Sequence, residues 1–410
     1  MTELLDLIFR WVHVIAGIMW VGNSMLFNFL DRNLRTRPEA DSYGDIWLLH
    51  SGGFYLMEKN TGERVPGGGL KLPAPLHWFK WQAYTTWITG ALLLIGVYYW
   101  GGRALLEDSS VRDISHNTAI GLAVGTIAIA WLAYEILWRS IGKRWPRITA
   151  ALSLVVLVDA VVFLTAMLSG RAAFIHIGAM LATIMAGNVA LTIMPSQREL
   201  VAALAEGREP SQVIARRAKT RSIHNNYLTF PVIVLMVSSH FPSLYSSKGS
   251  ASLALILIAG GALVRHFMNI RFTYPRWLLG FSASAAATIA AMAIAMNGGL
   301  ALLASPLGVR TQMSDTALMN IPAAVSFADA RRIIDRRCAA CHSLSPSDIS
   351  LGVTPAGVAY DTPQQIQALA PRIYQRAVVQ RTMPPGNKTR ITDVERAMLA
   401  RWIESGAAIK

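Results

Sequence analysis

Charge is scarce in this 410-residue chain. Asp, Glu, Lys and Arg make up 15% of it, against about 25% in a soluble domain. So little charge cannot keep so long a chain in water, which excludes a soluble cytoplasmic enzyme and a disordered protein. Cysteine is scarcer still. There are two, Cys338 and Cys341, too few for a disulfide-stapled secreted module. Acidic residues number 24 against 38 Lys and Arg. In a chain of long apolar runs, that surplus follows from membrane topology and not from nucleic acid. No phosphate loop, dinucleotide fingerprint or zincin motif is present. The stretch Pro66-Gly67-Gly68-Gly69 lacks the strand and helix a phosphate loop needs.

What the chain has in abundance is apolar sequence, 53% of residues. Eight runs approach the length that crosses a hydrocarbon core of about 30 Å as a helix. They lie near 4–30, 82–101, 118–138, 149–168, 172–194, 224–241, 251–268 and 276–303. They are continuously apolar, not alternating, so transmembrane strands are not expected. The segments 31–80, 139–148, 195–223 and 265–276 carry 20 Lys and Arg against 4 in 102–117, 169–171 and 242–250. Positive loops stay inside, so both termini are expected outside. The first run lacks a basic start and a small-residue cleavage site, and reads as a retained helix. Residues 304–325, with Pro306, Gly308 and Pro322, read as a linker. Residues 326–410 are polar, with 12 Lys and Arg against 7 Asp and Glu.

Cys338-Ala339-Ala340-Cys341-His342 is the covalent haem c attachment pattern. Two thiols three positions apart reach the two haem vinyl groups, and His342 lies under the iron as proximal ligand. A zinc site normally takes four Cys or His ligands, and this segment offers three. Met383, in Arg381-Thr382-Met383-Pro384-Pro385-Gly386-Asn387, is the expected sixth ligand. A thioether there raises the potential, as an electron carrier requires. Met398 reads as a core residue of the last helix. Residues 326–410 look like a small class I cytochrome c with one covalent haem. Such domains mature outside the cytoplasmic membrane, in agreement with the loop charges.

Ionisable residues inside spans are costly and usually functional. His13 in the first run and His176 in the fifth fall at similar depth. Arg10 and Arg171 precede them, and Gly22-Asn23 and Gly187-Asn188 follow, which resembles a four-plus-four repeat. Two readings stand. In one, His13 and His176 ligate a non-covalent haem b whose propionates meet Arg10 and Arg171. In the other, they are buried histidines hydrogen-bonded to neighbouring carbonyls. A second group, His50, His77, His224 and His266, is expected on the inner side. His77-Trp78-Phe79-Lys80-Trp81 combines aromatic faces with a cation, and His224-Asn225-Asn226-Tyr227 opens the sixth run. Together they suit a planar anionic heterocycle. Trp78 and Trp81 also read as an interfacial aromatic belt. Glu135 and Asp159 are proton carriers or structural partners, and His116 and His240 near the outer surface are alternative ligands.

The whole chain resembles the bacterial membrane-bound urate oxidase (urate hydroxylase) family. The match is carried by the first run from His13 to Asp31, the inner loop from His50 to Trp81, the stretch from His224 to Pro231, and the fused Cys338 to His342 motif. The fold expected is all-α. An eight-helix transmembrane bundle over 1–303 is followed by the linker and the cytochrome c domain. The resemblance implies an inner-membrane, multi-pass oxidoreductase with both termini and the cytochrome on the periplasmic side. It implies oxidation of urate to 5-hydroxyisourate, with electrons leaving through the cytochrome to a soluble cytochrome c or a terminal oxidase, without peroxide. For the substrate, His77 and His224 are the expected bases, with Lys80, Asn225 and Trp81 as binding residues. The competing class is an electron-transfer subunit that takes electrons from quinol or a partner enzyme. A third is a haem-handling or transport protein, since the first run also looks like the first helix of membrane protoporphyrinogen oxidases.

Overall fold

A computed structural model describes residues 3–35, 44–59, 76–101, 103–247, 249–296, 322, 324–348 and 354–409. The linker expected over 304–325 falls almost wholly outside them, as do Pro66 to Gly69 and the end of the eighth run.

Residues up to 296 are mainly helical. Helix α1 (Glu3–Asn33) is followed by the strands β1 (Gly44–His50) and β2 (Gly53–Lys59). Next come α2 (Trp81–Leu93), the short α3 (Arg103–Leu106), α4 (His116–Ser140) and α5 (Pro146–Met167). Helix α6 (Gly170–Asn188) runs through a π-helical turn, Val189–Ile193, into α7 (Met194–Ala205). Then follow α8 (Gln212–Val237), the short α9 (Pro242–Tyr245), α10 (Ser250–Ile270) and α11 (Trp277–Met296).

Six of these helices are long and apolar enough to cross a membrane: α1, α4, α5, the continuous α6–α7, α10 and α11. The other two expected runs fall on α2 and α8 and differ from the expectation in instructive ways. Helix α2 is extended by a π-helical turn, Leu94–Tyr99. Helix α8 begins at Gln212, well before the expected 224, and its first turns carry Arg216, Arg217, Lys219 and Arg221. The apolar pattern missed that start because those turns are basic.

Helix α6 is the hub. It buries Phe174, His176, Ile177, Met180 and Leu181, and packs on α2, α4, α5 and α8. Helix α1 packs chiefly on α2 and buries only Ala16 and Leu30. The two helices of the expected repeat therefore occupy unlike places. Large apolar side chains such as Trp11, Ile18, Ile129, Leu279 and Ile289 face outward, as they must on a lipid-facing surface.

The antiparallel hairpin is a departure from an all-α chain. Gly44 pairs with Lys59 and His50 with Gly53. Ser51 (φ 51°) and Gly52 (φ 76°) form its two-residue turn. Both lie in the left-handed region, the twist that matches hairpin strands.

The C-terminal residues form a separate helical core. Helices α12 (Phe327–Arg337), α13 (Pro363–Ala368), α14 (Ala370–Ile373) and α15 (Asp393–Glu404) surround Ile334, Ile366, Ile373, Leu399 and Trp402. Ser326, Thr362 and Thr392 close capping boxes at the starts of α12, α13 and α15. Each satisfies two backbone donors that the helix itself leaves open.

Candidate functional site

The C-terminal motif sits where α12 ends. Cys338 caps the helix, and the backbone N–H groups of Cys341 and His342 both donate to the Cys338 carbonyl, at 3.2 and 3.0 Å. That turn brings both thiols and the imidazole to one wall of a cavity of about 510 Å³. Met383 lies on the same cavity's lining. The two thiols are free, and burial pushes that of Cys338 up to about 12. The His342 ring donates from Nδ1 to the Val358 carbonyl at 3.0 Å. This fixes the tautomer that leaves Nε2 for a metal, as second-shell partners of ligating histidines do. Thiols, imidazole and thioether around one cavity fit a covalent haem c.

Arg396 was not anticipated. It is 3% exposed. It donates to the Met383 carbonyl at 2.8 Å and to the Ala377 carbonyl, and so fixes the backbone that carries the thioether. Burial lowers its pKa to about 10, opposed by Asp108 and Asp393 nearby.

One wall of the cavity belongs to the bundle. Ala104, Asp108, Ser169, Arg171, His240 and Tyr245 line it. The turn after Met383 rests on α3. A Cβ added at Gly386 would meet the Glu107 carbonyl oxygen at 2.5 Å and that of Ala104 at 2.7 Å. Gly386 (φ 58°) also accepts from the Ser109 N–H at 3.4 Å. Arg171 thus lines this C-terminal cavity and also lies beside Tyr98, with Arg10 near the same ring. Arg10 itself pairs with Asp6 at 2.7 Å.

His13 donates from Nδ1 to the Thr86 carbonyl at 2.9 Å, and its ring fills the space in front of Gly90, where a Cβ would meet it at 2.9 Å. His176 donates from Nδ1 to the Ala172 carbonyl at 2.7 Å and accepts at Nε2 from the Tyr99 hydroxyl at 3.0 Å. Both nitrogens of this fully buried ring are committed. At both histidines the Nδ1–H bonds a carbonyl, a pattern common to the two sequence readings, because it leaves Nε2 as the nitrogen that could meet a metal. At His176 the Tyr99 hydroxyl occupies that nitrogen, so a haem iron there would have to displace it. His116 bonds the Tyr99 carbonyl at 2.9 Å and lies near Glu107.

The His224-Asn225-Asn226-Tyr227 stretch lies within α8, and its residues divide between two faces. His224 Nδ1 and the Tyr134 hydroxyl share a hydrogen bond of 2.7 Å, and Tyr134 also accepts from Asn188 at 3.1 Å. Asn188 also donates to Asn225 at 2.8 Å, and Asn225 to the Met185 carbonyl at 2.9 Å. Beneath them Arg221, 1% exposed, pairs with Glu135 at 2.8 Å and stacks over Tyr134. On the other face Asn226 bonds Ser24 of α1 and accepts from Arg265 and Asn269 of α10, at 3.3, 3.2 and 2.5 Å. The Tyr227 hydroxyl bonds His266 Nδ1 at 2.7 Å.

Among the described residues, no hydrogen bond or ring contact joins His77, Lys80 or Trp81 to His224 or Asn225. Their ring and cation contacts run among Trp78, Phe79 and Trp81 at the start of α2, with Lys80 Nζ 6.0 and 5.6 Å from the Trp78 and Trp81 ring centres. Asp159 faces outward from α5. Two arginines counted among the inner loops, Arg221 and Arg265, lie inside helices and are buried, which corrects the loop tally.

No curated protein and no solved structure matches the chain. The family model for the urate oxidase N-terminal domain matches residues 1–297, and the chain therefore belongs to the urate oxidase N-terminal family.

Proposed function

We propose that the chain is a membrane-bound oxidoreductase that converts urate to 5-hydroxyisourate and passes the electrons outward without forming peroxide. In this reading α2 and α8 complete an eight-span bundle in a bacterial inner membrane, with both termini and a cytochrome c domain on the periplasmic side. The urate monoanion gives up two electrons and one proton, and water then adds as OH and H, so that urate monoanion and water become 5-hydroxyisourate, one proton and two electrons. Haem c on Cys338, Cys341, His342 and Met383 supplies one-electron exchange with a soluble cytochrome c or a terminal oxidase. The proton goes to an imidazole, the side chain most often used as general base. His224 and His266 each stand in hydrogen-bond contact with a tyrosine hydroxyl at 2.7 Å, which orients the ring.

One coincidence carries the reading. The urate oxidase family domain over 1–297 is followed, in the same chain, by a cavity that gathers Cys338, Cys341, His342 and Met383. A second reading, quinol oxidation, draws on a different feature. An apolar cavity of about 440 Å³ between α8, α10 and α11, lined by Phe230, Leu257, Gly261 and Ile289, suits a lipid-like tail.

Washed membranes containing the full chain separate the two. Urate should reduce a covalent haem c without peroxide, and Cys338→Ala should abolish both haem staining and turnover. A chain ending near residue 310 should lose steady-state turnover. Full turnover with stoichiometric peroxide from that shorter chain would overturn the reading. Reduction by quinol but not by urate would favour the alternative.

A further inference from the structure

Arg265 lies in α10 with 1% of its surface exposed. Its Nε donates to Asn226 at 3.2 Å and its Nη2 to the Ser24 hydroxyl at 3.1 Å. A guanidinium has five N–H groups and stays protonated, so most of its donors are uncommitted among the described residues. Its partners are an amide and a hydroxyl, both neutral. Among the described residues the charged or ionisable groups that act on it are Arg271, which repels it, and Tyr227. The other deeply buried arginines differ. Arg221 has Glu135 at 2.8 Å, and Arg396 has Asp108 and Asp393 near it. A buried cation without an anion is costly, and a fold that keeps one has a use for the missing charge.

We propose that Arg265, with Ser24, Asn226 and Asn269, forms a binding site for a planar organic monoanion between α1, α8 and α10. One uncompensated positive charge calls for one negative charge. The guanidinium fork accepts two coplanar oxygens or a deprotonated ring edge. The Asn226 and Asn269 amides offer donors and acceptors for ring carbonyl and N–H groups. The Phe230 ring lies 5.2 Å from the guanidinium, and Tyr227 and His266 follow Asn226 and Arg265 in the chain. The occupant takes the place of the Ser24 hydroxyl on Nη2, on the α1 side of the site. Ser24 and Asn226 come from two of the stretches that carry the family resemblance.

The site deepens the urate reading by naming the group that neutralises the substrate, but its existence rests on the unpaired charge alone. The test uses purified full-length protein, with urate as the anionic probe, caffeine as a neutral purine and benzoate as an unrelated monoanion. Wild type should bind urate and not caffeine. Arg265→Met should weaken urate binding about 100-fold, the loss of one or two charge-assisted hydrogen bonds. It should leave the melting temperature unchanged or raised, because a buried charge has gone. Arg265→Lys should recover part of the binding. Unchanged binding in Arg265→Met, or a fall in its melting temperature matching that of Arg221→Met, would overturn the site. Urate oxidation with unaltered KM in Arg265→Met sinks the site and spares the urate reading. Benzoate binding that needs Arg265, in a protein that urate does not reduce, sinks the urate reading and spares the site.

Discussion

The two faces of α8 differ in one respect that chemistry can use. Toward α4 and α6, Arg221 pairs with Glu135, and Asn188 donates to both Tyr134 and Asn225. Toward α1 and α10, a comparable set of amides and a second tyrosine–histidine pair surround Arg265, and no carboxylate accompanies it among the described residues. Successive helix residues turn by about 100°, so four consecutive polar residues must divide between the faces. The first face has a carboxylate of its own, Glu135, shared by Arg221 and the half-exposed Arg139, and serves the fold. The second is left one negative charge short, which is the condition for recognising an anion.

The largest effect expected from this contrast is on stability. Arg221→Met leaves Glu135 with Arg139 alone, whose side chain is half exposed, and should cost about 2–3 kcal/mol, less than a buried pair whose remaining charge has no partner. Adding Glu135→Leu should return most of that loss, since an apolar replacement of both partners is often neutral. Thermal unfolding of the purified protein measures both. A double variant as unstable as the single one would show that the pair is not a unit.

A smaller effect separates the two tyrosines. Tyr134→Phe and Tyr227→Phe each leave an imidazole nitrogen without its hydroxyl, at about 1 kcal/mol. Tyr134 should cost more, because its hydroxyl also accepts from Asn188. Turnover should divide them the other way. With the anion on the Arg265 face, Tyr227→Phe should lower kcat about tenfold, roughly 1.4 kcal/mol, and alter the pH profile. Tyr134→Phe should leave kcat and profile alone. Equal kinetic losses in both would remove the distinction between the faces.

The C-terminal motif was legible because its chemistry is contiguous: Cys338, Cys341 and His342 occupy one turn, and Met383 is marked by its prolines. The bundle chemistry was legible only in part. His224 and Asn225 stood out, yet their partners Tyr134 and Asn188 lie on other helices and look like ordinary polar residues in apolar runs. Arg221 and Arg265 were hidden by their own charge, since an arginine near the end of an apolar run counts as a loop residue. A basic residue at helical spacing from an Asn or His, as Arg221 is from Asn225 and Arg265 from Asn269, was the available signal. Tyr99 was invisible for another reason. The hydroxyl that engages His176 comes from a π-helical turn, which shifts side-chain direction without leaving a pattern in the sequence.

A third arginine gives the smallest effect and a control in which the partner titrates. Arg337 forks onto Glu395 through Nε at 3.0 and 3.1 Å and Nη2 at 2.9 Å. Desolvation opposes ionisation of Glu395, but the Thr392 backbone N–H and Arg337 outweigh it and hold the carboxyl below its ordinary range. A carboxyl depressed in the folded state adds stability above its unfolded pKa and loses it as pH falls through the folded one. The C-terminal domain should therefore weaken between about pH 5 and pH 3. Asp329 and Asp361, held low by Ser326 and Ser343, act in the same direction, so the informative quantity is a difference. Glu395→Gln should cost about 1 kcal/mol at neutral pH, the scale of a partly exposed pair, and the gap from wild type should close as the acid is titrated. Circular dichroism melts across that range measure it. A gap that persists at low pH would mean that Glu395 works through packing and the Thr392 cap, with its charge playing no part.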